Sequence, residues 1–235
     1  MRHTIQLFKI GLKQISKDGM LLVLIPAPFL VGMFFRFGIP YINQWLTRQF
    51  SFSISPWYGM IDGMLICLTP MFTAMISAFL LLEERDEGVN AFYQITPVEG
   101  YSYLCARIGF PMLWAFLVTI IISAVLNISD LSFEVILLSA IISSLTGIFL
   151  AMMVVSLANN RVEGLAFSKL MGISFIGLIL IWFIPPSYSF LMAFLPSFWI
   201  GMLLKEGADF LSFIGGLLTC SVWIAFFTKR FIKRI

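Results

Sequence analysis

Long, nearly unbroken runs of apolar residues alternate along this chain with short polar intervals, and the length of each run predicts what it forms. A hydrocarbon core of roughly 30 Å needs about 20 helical residues to cross it. By that measure the runs near 20–39, 58–82, 108–128, 133–158, 165–184 and 210–228 predict six spans. Helices are expected because hydrocarbon offers the backbone no hydrogen-bond partner, and the runs lack the short alternation of a transmembrane barrel. Two segments depart from the pattern. "MRHTIQLFKIGLKQISKDG" spaces Ile5, Phe8, Leu12 and Ile15 three or four apart with Lys9, Lys13 and Lys17 between them. No small-residue cleavage site follows, so an amphipathic helix on the inner leaflet is expected rather than a signal peptide. "FLMAFLPSFWIGMLL", from Phe190, is too short to cross and is interrupted by Pro196. It predicts a re-entrant hairpin inside the extracellular stretch 185–209.

Composition agrees with the pattern. The 235 residues are 60% hydrophobic and 11% charged, with mean hydropathy +0.99, whereas a soluble domain carries about 25% charge. The expected fold class is an all-α integral membrane protein, with 1–235 forming a single transmembrane domain. Twelve of the fifteen Lys and Arg fall in the N-terminal segment, the second-to-third and fourth-to-fifth connections, and the tail, leaving Arg36, Arg48 and Lys205 opposite. The positive-inside rule then puts both termini in the cytosol. The +3 net charge reports orientation and membrane lipid, not nucleic acid.

Several chemistries are set aside by what the chain lacks. His3 is the sole histidine, which leaves no zinc site or histidine-based triad. Cys67 and Cys220 lie in spans and Cys105 at a cytosolic span end, so no extracellular disulfide framework is available. The Glu83–Glu84 pair brings to mind intramembrane prenyl-protein proteases, but the position one turn after Glu84 is Gly88 and no span carries a histidine. No G-x-x-x-x-G-K-[ST] phosphate loop occurs.

Two polar connections carry positive information. "LLEERDEGVNAFYQITPV", from Leu81, leaves the second span through an acidic Glu-Glu-Arg-x-Glu-Gly turn. In it Val89, Phe92, Tyr93 and Ile95 form an apolar helical face while Glu84, Glu87 and Gln94 stay wet, and Pro97 stops the helix. "LANNRVEGLAFSKLMG", from Leu157, joins the fourth and fifth spans. Together with six spans, both ends inside, a basic N-terminal helix and a broken hairpin before the last span, these stretches resemble the ABC-2 type exporter permeases over nearly the whole chain. The resemblance implies a permease subunit of an ATP-driven exporter in a bacterial plasma membrane. It would pair with a second permease, identical or not, and with two cytosolic ATPase subunits. ATP and Mg would sit on those partners, with no cofactor and no catalysis in this chain. It also implies that Glu83, Glu84, Glu87, Gly88, Phe92, Tyr93 and Pro97 form the coupling element to the ATPase, braced by Asn160, Arg161 and Glu163. In this reading Glu83, Glu84 and Glu87 order the start of the coupling helix, where the macrodipole favours acids.

Inside the spans, Ser139, Ser143, Gly147 and Ala151 recur every four residues, as do Gly59 and Gly63, spacing that lets helices approach closely. Whether they face the same chain or a partner is open at this stage. Pro26, Pro28 and Pro70 predict kinks. Arg36 and Asp62 have matching depths, and an ion pair between the outer ends of spans one and two is expected. The 25 Phe and 13 Met suit a hydrophobic or amphiphilic cargo such as a drug, peptide or lipid-like molecule. The alternatives are an ion-coupled secondary carrier, which should show an intramembrane relay and internal repeats, and a scaffold without transport.

Overall fold

The apolar runs fold as helices because each must satisfy its own backbone. The computed structural model describes residues 2–88 and 103–232, and the described residues are helical without strands. We label the N-terminal helix α1 (Arg2–Lys17). Six helical runs are long and apolar enough to cross a membrane: α2 (Gly19–Phe50), α3 (Ser55–Asp86), α4 (Cys105–Leu126), α5 (Phe133–Leu157), α6 (Arg161–Phe183) and, last in the chain, α8 (Phe210–Ile232). Between the last two lies α7 (Pro196–Glu206). The central helices are α3 and α5, which pack on each other and share α4 and α7 as neighbours, while α8 packs on α5 and α7. Peripheral α2 turns Leu22, Leu30, Phe34 and Phe37 outward.

The structure settles which way the small-residue stripes face. Pro70 lacks an N–H, so the carbonyl of Ile66 loses its helical donor. Ser143 Oγ donates to that carbonyl at 2.6 Å. One turn on, a Cβ placed on Gly147 would come within 3.1 Å of the Pro70 carbonyl. The α5 stripe therefore packs on α3 inside the chain, and α3 runs unbroken through its proline. Gly63 sits against Leu178 of α6 and Leu204 of α7, and Gly59 against Trp182.

Two further prolines are absorbed differently. Wide π turns occupy Phe34–Gly38 and Cys105–Gly109, where Ile39 N–H reaches back to Phe34 and Phe110 N–H to Cys105. Each turn ends two residues before a proline, Pro40 or Pro111. Widening the helix there carries the carbonyls away from the proline ring, as π-bulges do. This is why α2 does not stop near residue 39: it continues to Phe50, about 48 Å in all, well beyond a hydrocarbon core of roughly 30 Å. Within α6, Lys169–Phe175 tightens to a 3-10 helix. Ser168 Oγ just before it and Ser174 Oγ within it donate to carbonyls three residues back, the local competition that tightens or bends helices.

The segment expected to form a hairpin contains a short turn at Pro186–Ser189 and then α7. Eleven residues of helix rise about 16 Å, half a hydrocarbon core. Phe198, Ile200 and Leu203 are fully buried in contact with the helices around them. Gly207, at φ +94°, turns the chain toward α8.

Candidate functional site

The end of the bundle that carries both termini holds a layer of charged side chains. The run Glu83 to Glu87, at the C-terminal end of α3, distributes its members among different neighbours. Glu84 is buried and receives three hydrogen bonds: from Tyr103 Oη at 2.7 Å, from Arg107 Nε at 3.1 Å, and from Arg107 Nη2, which closes a bidentate ion pair. Both partners of the pair are only 1% exposed. Arg107 belongs to the π turn that opens α4, and Gly11 of α1 lies directly over it, the guanidinium filling the place a Cβ would take. Phe8 meets Phe110 beside it, ring centroids 5.6 Å apart. The glycine thus lets α1 roof the ion pair.

Arg161 organises the second cluster. It opens α6 and pairs with Asp18 through Nη2 and with Glu83 through Nη1, the latter at 3.5 Å. Its backbone N–H donates to Asp86 at 2.9 Å, an acidic cap from α3 on the amino end of α6. Asp18 acts twice, because its other oxygen accepts from the N–H groups of Met20 and Leu21 and so starts α2. Burial by itself would raise the Asp18 pKa, but the Arg161 hydrogen bond and charge and the two amides outweigh it and hold it below its usual value. Arg85 donates to the carbonyls of Ala158 (2.9 Å) and Val155 (3.3 Å), neutralising the carboxyl end of α5. Asn160 caps α6 by accepting from Glu163 N at 2.8 Å, and Glu163 reaches back to Asn159 N at 2.8 Å, a variant of the capping box. Gly164 then lets α6 close on Leu82 and Phe79.

Two sequence expectations change here, the first being that Glu84, expected to stay wet, is buried. Glu83 and Glu84 do not start a new helix; they lie in the last turn of α3, which runs to Asp86, with Glu87 as its cap. Acids are disfavoured at a helix carboxyl end, and Arg107 and Arg161 compensate. Gly88 ends α3 at φ +70°, a left-handed backbone conformation that favours glycine. Phe92, Tyr93 and Pro97 lie outside the described residues.

At the opposite end, Arg36 and Asp62 meet the same loop but form no direct ion pair. Arg36 Nη1 donates to the carbonyl of Asn127. Asp62 is buried and accepts from the N–H groups of Ile128 (3.0 Å) and Ser129 (2.8 Å) and from the Ser129 hydroxyl. The loop after α4 presents a carbonyl on one side and amides on the other, so each charge takes the backbone dipole of the right sign.

Sequence reading missed Tyr103, Arg107, Asp18 and Asp86. One signal for Arg107 was available: "RIGFP" at 107–111 repeats the Arg-apolar-Gly-apolar-Pro order of "RFGIP" at 36–40, where Arg36 already stood out.

Among the described residues, six helices long and apolar enough to span, with charged groups drawn to the two ends, define a multi-pass membrane protein. The family described as "Fluoroquinolones export permease protein Rv2686c-like" matches residues 11–228, and the chain belongs to it. It is 25% identical over 228 residues to the fluoroquinolones export permease protein Rv2686c of Mycobacterium tuberculosis strain H37Rv, covering 92% of this chain and 88% of the relative. The same figures hold for the fluoroquinolones export permease protein MT2760 of strain CDC 1551 / Oshkosh.

Proposed function

We propose that the chain is the permease subunit of an ABC-2 type exporter that moves amphiphilic, drug-like molecules out of the cell. In this reading the basic end faces the cytosol, a second permease completes the pathway, and two separate ATPase subunits supply energy from ATP and Mg. Membership of an export permease family across nearly the whole chain carries the proposal. The geometry supports its coupling part. Residues 89–102 leave α3 just after Glu84 and return just before Arg107, and the hydrogen bond from Tyr103 to Glu84 joins the two ends of that excursion. A push on this segment enters α3 and α4 together through a buried ion pair, and reaches α2 and α6 through Asp18, Glu83, Asp86 and Arg161. The secondary-carrier alternative gains nothing from Asp62, whose oxygens are occupied by backbone and hydroxyl donors rather than placed on a relay.

The test is a paired measurement on Phe92→Ala/Tyr93→Ala in cells expressing the chain with its ATPase. Normal expression and ATPase co-purification with loss of drug export is the expected result. Full export by the well-expressed double variant would remove the coupling role.

A further inference from the structure

Helix α1 carries Arg2, Lys9, Lys13 and Lys17 and no acidic residue. An amphipathic helix beside a membrane ordinarily lays its apolar face in lipid, but here the protein takes that face. Gly11 is buried against Arg107, and a Cβ there would also come within 3.1 Å of Leu80. Ile15 packs on the main core, and Phe8 meets Phe110. What α1 turns away from the bundle is a row of cations. Lys9 and Lys13 stand two residues either side of Gly11, about 160° around the helix from it, and Lys17 continues the row one turn on. All three are exposed. Among the described residues none of them forms an ion pair, and Asp18, next along the chain, is committed to Arg161.

The place of the row decides what it faces. On α4, Phe110, Leu113, Trp114 and Leu117 are exposed at the i, i+3, i+4 and i+7 spacing of one helical face, and on a span such a face is turned to lipid. Because Phe8 packs on Phe110, α1 crosses the foot of that strip, at the margin of the bundle where hydrocarbon gives way to headgroups. Ile10 and Leu12, exposed to 51% and 47%, flank the lysines and suit the acyl boundary. A protein partner would have to reach past the headgroups to meet this row, whereas an anionic leaflet already lies against it.

We propose that the lysine row of α1 is a docking surface for the anionic phospholipid headgroups of the inner leaflet, and that their binding holds α1 down on the Glu84–Arg107 pair. A phosphodiester meets each ammonium, and each lysine near such a surface adds about fivefold in affinity. One short helix thus reads the membrane surface with one face and covers a buried ion pair with the other. The proposal takes from the export reading only its orientation, with the basic end toward the cytosol.

The experiment compares hydrogen–deuterium exchange of the full chain in nanodiscs of phosphatidylcholine alone and with about one-third phosphatidylglycerol. The anionic lipid is expected to slow the amides of 8–17 about tenfold or more, and those of 103–109 in step with them. Lys9→Gln/Lys13→Gln/Lys17→Gln, which keeps good helix formers, should lose the response at unchanged phosphatidylcholine rates. Arginine at the same three positions should keep it. Lys229→Gln/Arg230→Gln, which removes charge from the same end of the bundle, should leave it intact. Equal exchange of the wild-type chain in both lipids overturns the proposal, as does a response that survives the glutamine variant. Slowing by inorganic phosphate in phosphatidylcholine discs overturns it too, because that marks a free-anion site. Protection of 8–17 with none at 103–109 overturns the link to the ion pair. Nanodiscs carry the same lipid on both faces, so the outcome is independent of orientation and export. A chain that responds in full yet exports nothing with its ATPase counts against the export reading alone.

Discussion

Helix α3 carries a buried carboxylate near each end, and the two are neutralised by different means. Glu84 faces a guanidinium and a phenol, and Asp62 faces backbone amides and a hydroxyl. A carboxylate held by amides is part of the loop it organises, so it fixes one conformation. A carboxylate held by side chains from the start of another helix joins two helices to each other. The structure therefore places its loop-held joint at the end away from the termini. Its helix-to-helix joint sits at the end that residues 89–102 adjoin in sequence.

Substitutions should separate the two joints. The largest effect is expected for Glu84→Ala, which strands Arg107 in the interior and costs about 3–5 kcal/mol, as for one partner of a buried ion pair. Adding Arg107→Met should recover much of this, and a double-mutant cycle on thermal unfolding in detergent measures the recovery. Tyr103→Phe removes one of three bonds to the same carboxylate and should cost about 1 kcal/mol. Additive losses at 84 and 107 would erase the distinction between the ends.

Next in size is Asp62→Ala, which frees the amides of the loop after α4 at a cost of about 1–3 kcal/mol. Exchanging Arg36 and Asp62 should be worse than either single alanine change. The exchange aims a carboxylate at the Asn127 carbonyl and a guanidinium at the amides. Rescue by the exchange would restore the direct ion pair expected from sequence.

The smallest effect belongs to Arg161→Ala. Its bridge to Asp18 is partly exposed, with side chains 29% and 17% accessible, so solvent screening limits it to about 1 kcal/mol or less. It should have a pH signature. The folded state holds the Asp18 pKa below its ordinary 3.8, so this contribution is fully present above that value and is lost as pH falls through the lowered pKa. An acid melting series should show the wild-type advantage over Arg161→Ala shrinking below about pH 4.

The spans were legible because their lengths answer to one physical constraint. Within them, the end of α2 was not. Pro40 resembles a stop, and Asn43, Gln44, Thr47, Arg48 and Gln49 lower the hydropathy after it, yet a π turn admits the proline and the helix continues. The charged run at 83–87 was legible as more than a wet span end, but its partners were not. Arg107 is 23 residues away from Glu84, and Arg161 is 78 from Glu83. Nothing local couples them, since the pairing follows from helices meeting in space. Arg36 and Asp62 were rightly matched in depth and wrongly matched to each other, because a loop's backbone charges are invisible in a list of side chains.

The bond from Ser143 to the carbonyl that Pro70 leaves open has a consequence for descent. The two positions, 73 residues apart, form a single inherited choice with a preferred order of change. A lineage that loses the serine first leaves a carbonyl without a donor inside the bundle, at about 1–2 kcal/mol. One that replaces the proline first regains its N–H and can discard the serine afterward at little cost. Selection thus sees a one-way street: the hydroxyl is dispensable only in chains that have already given up the proline.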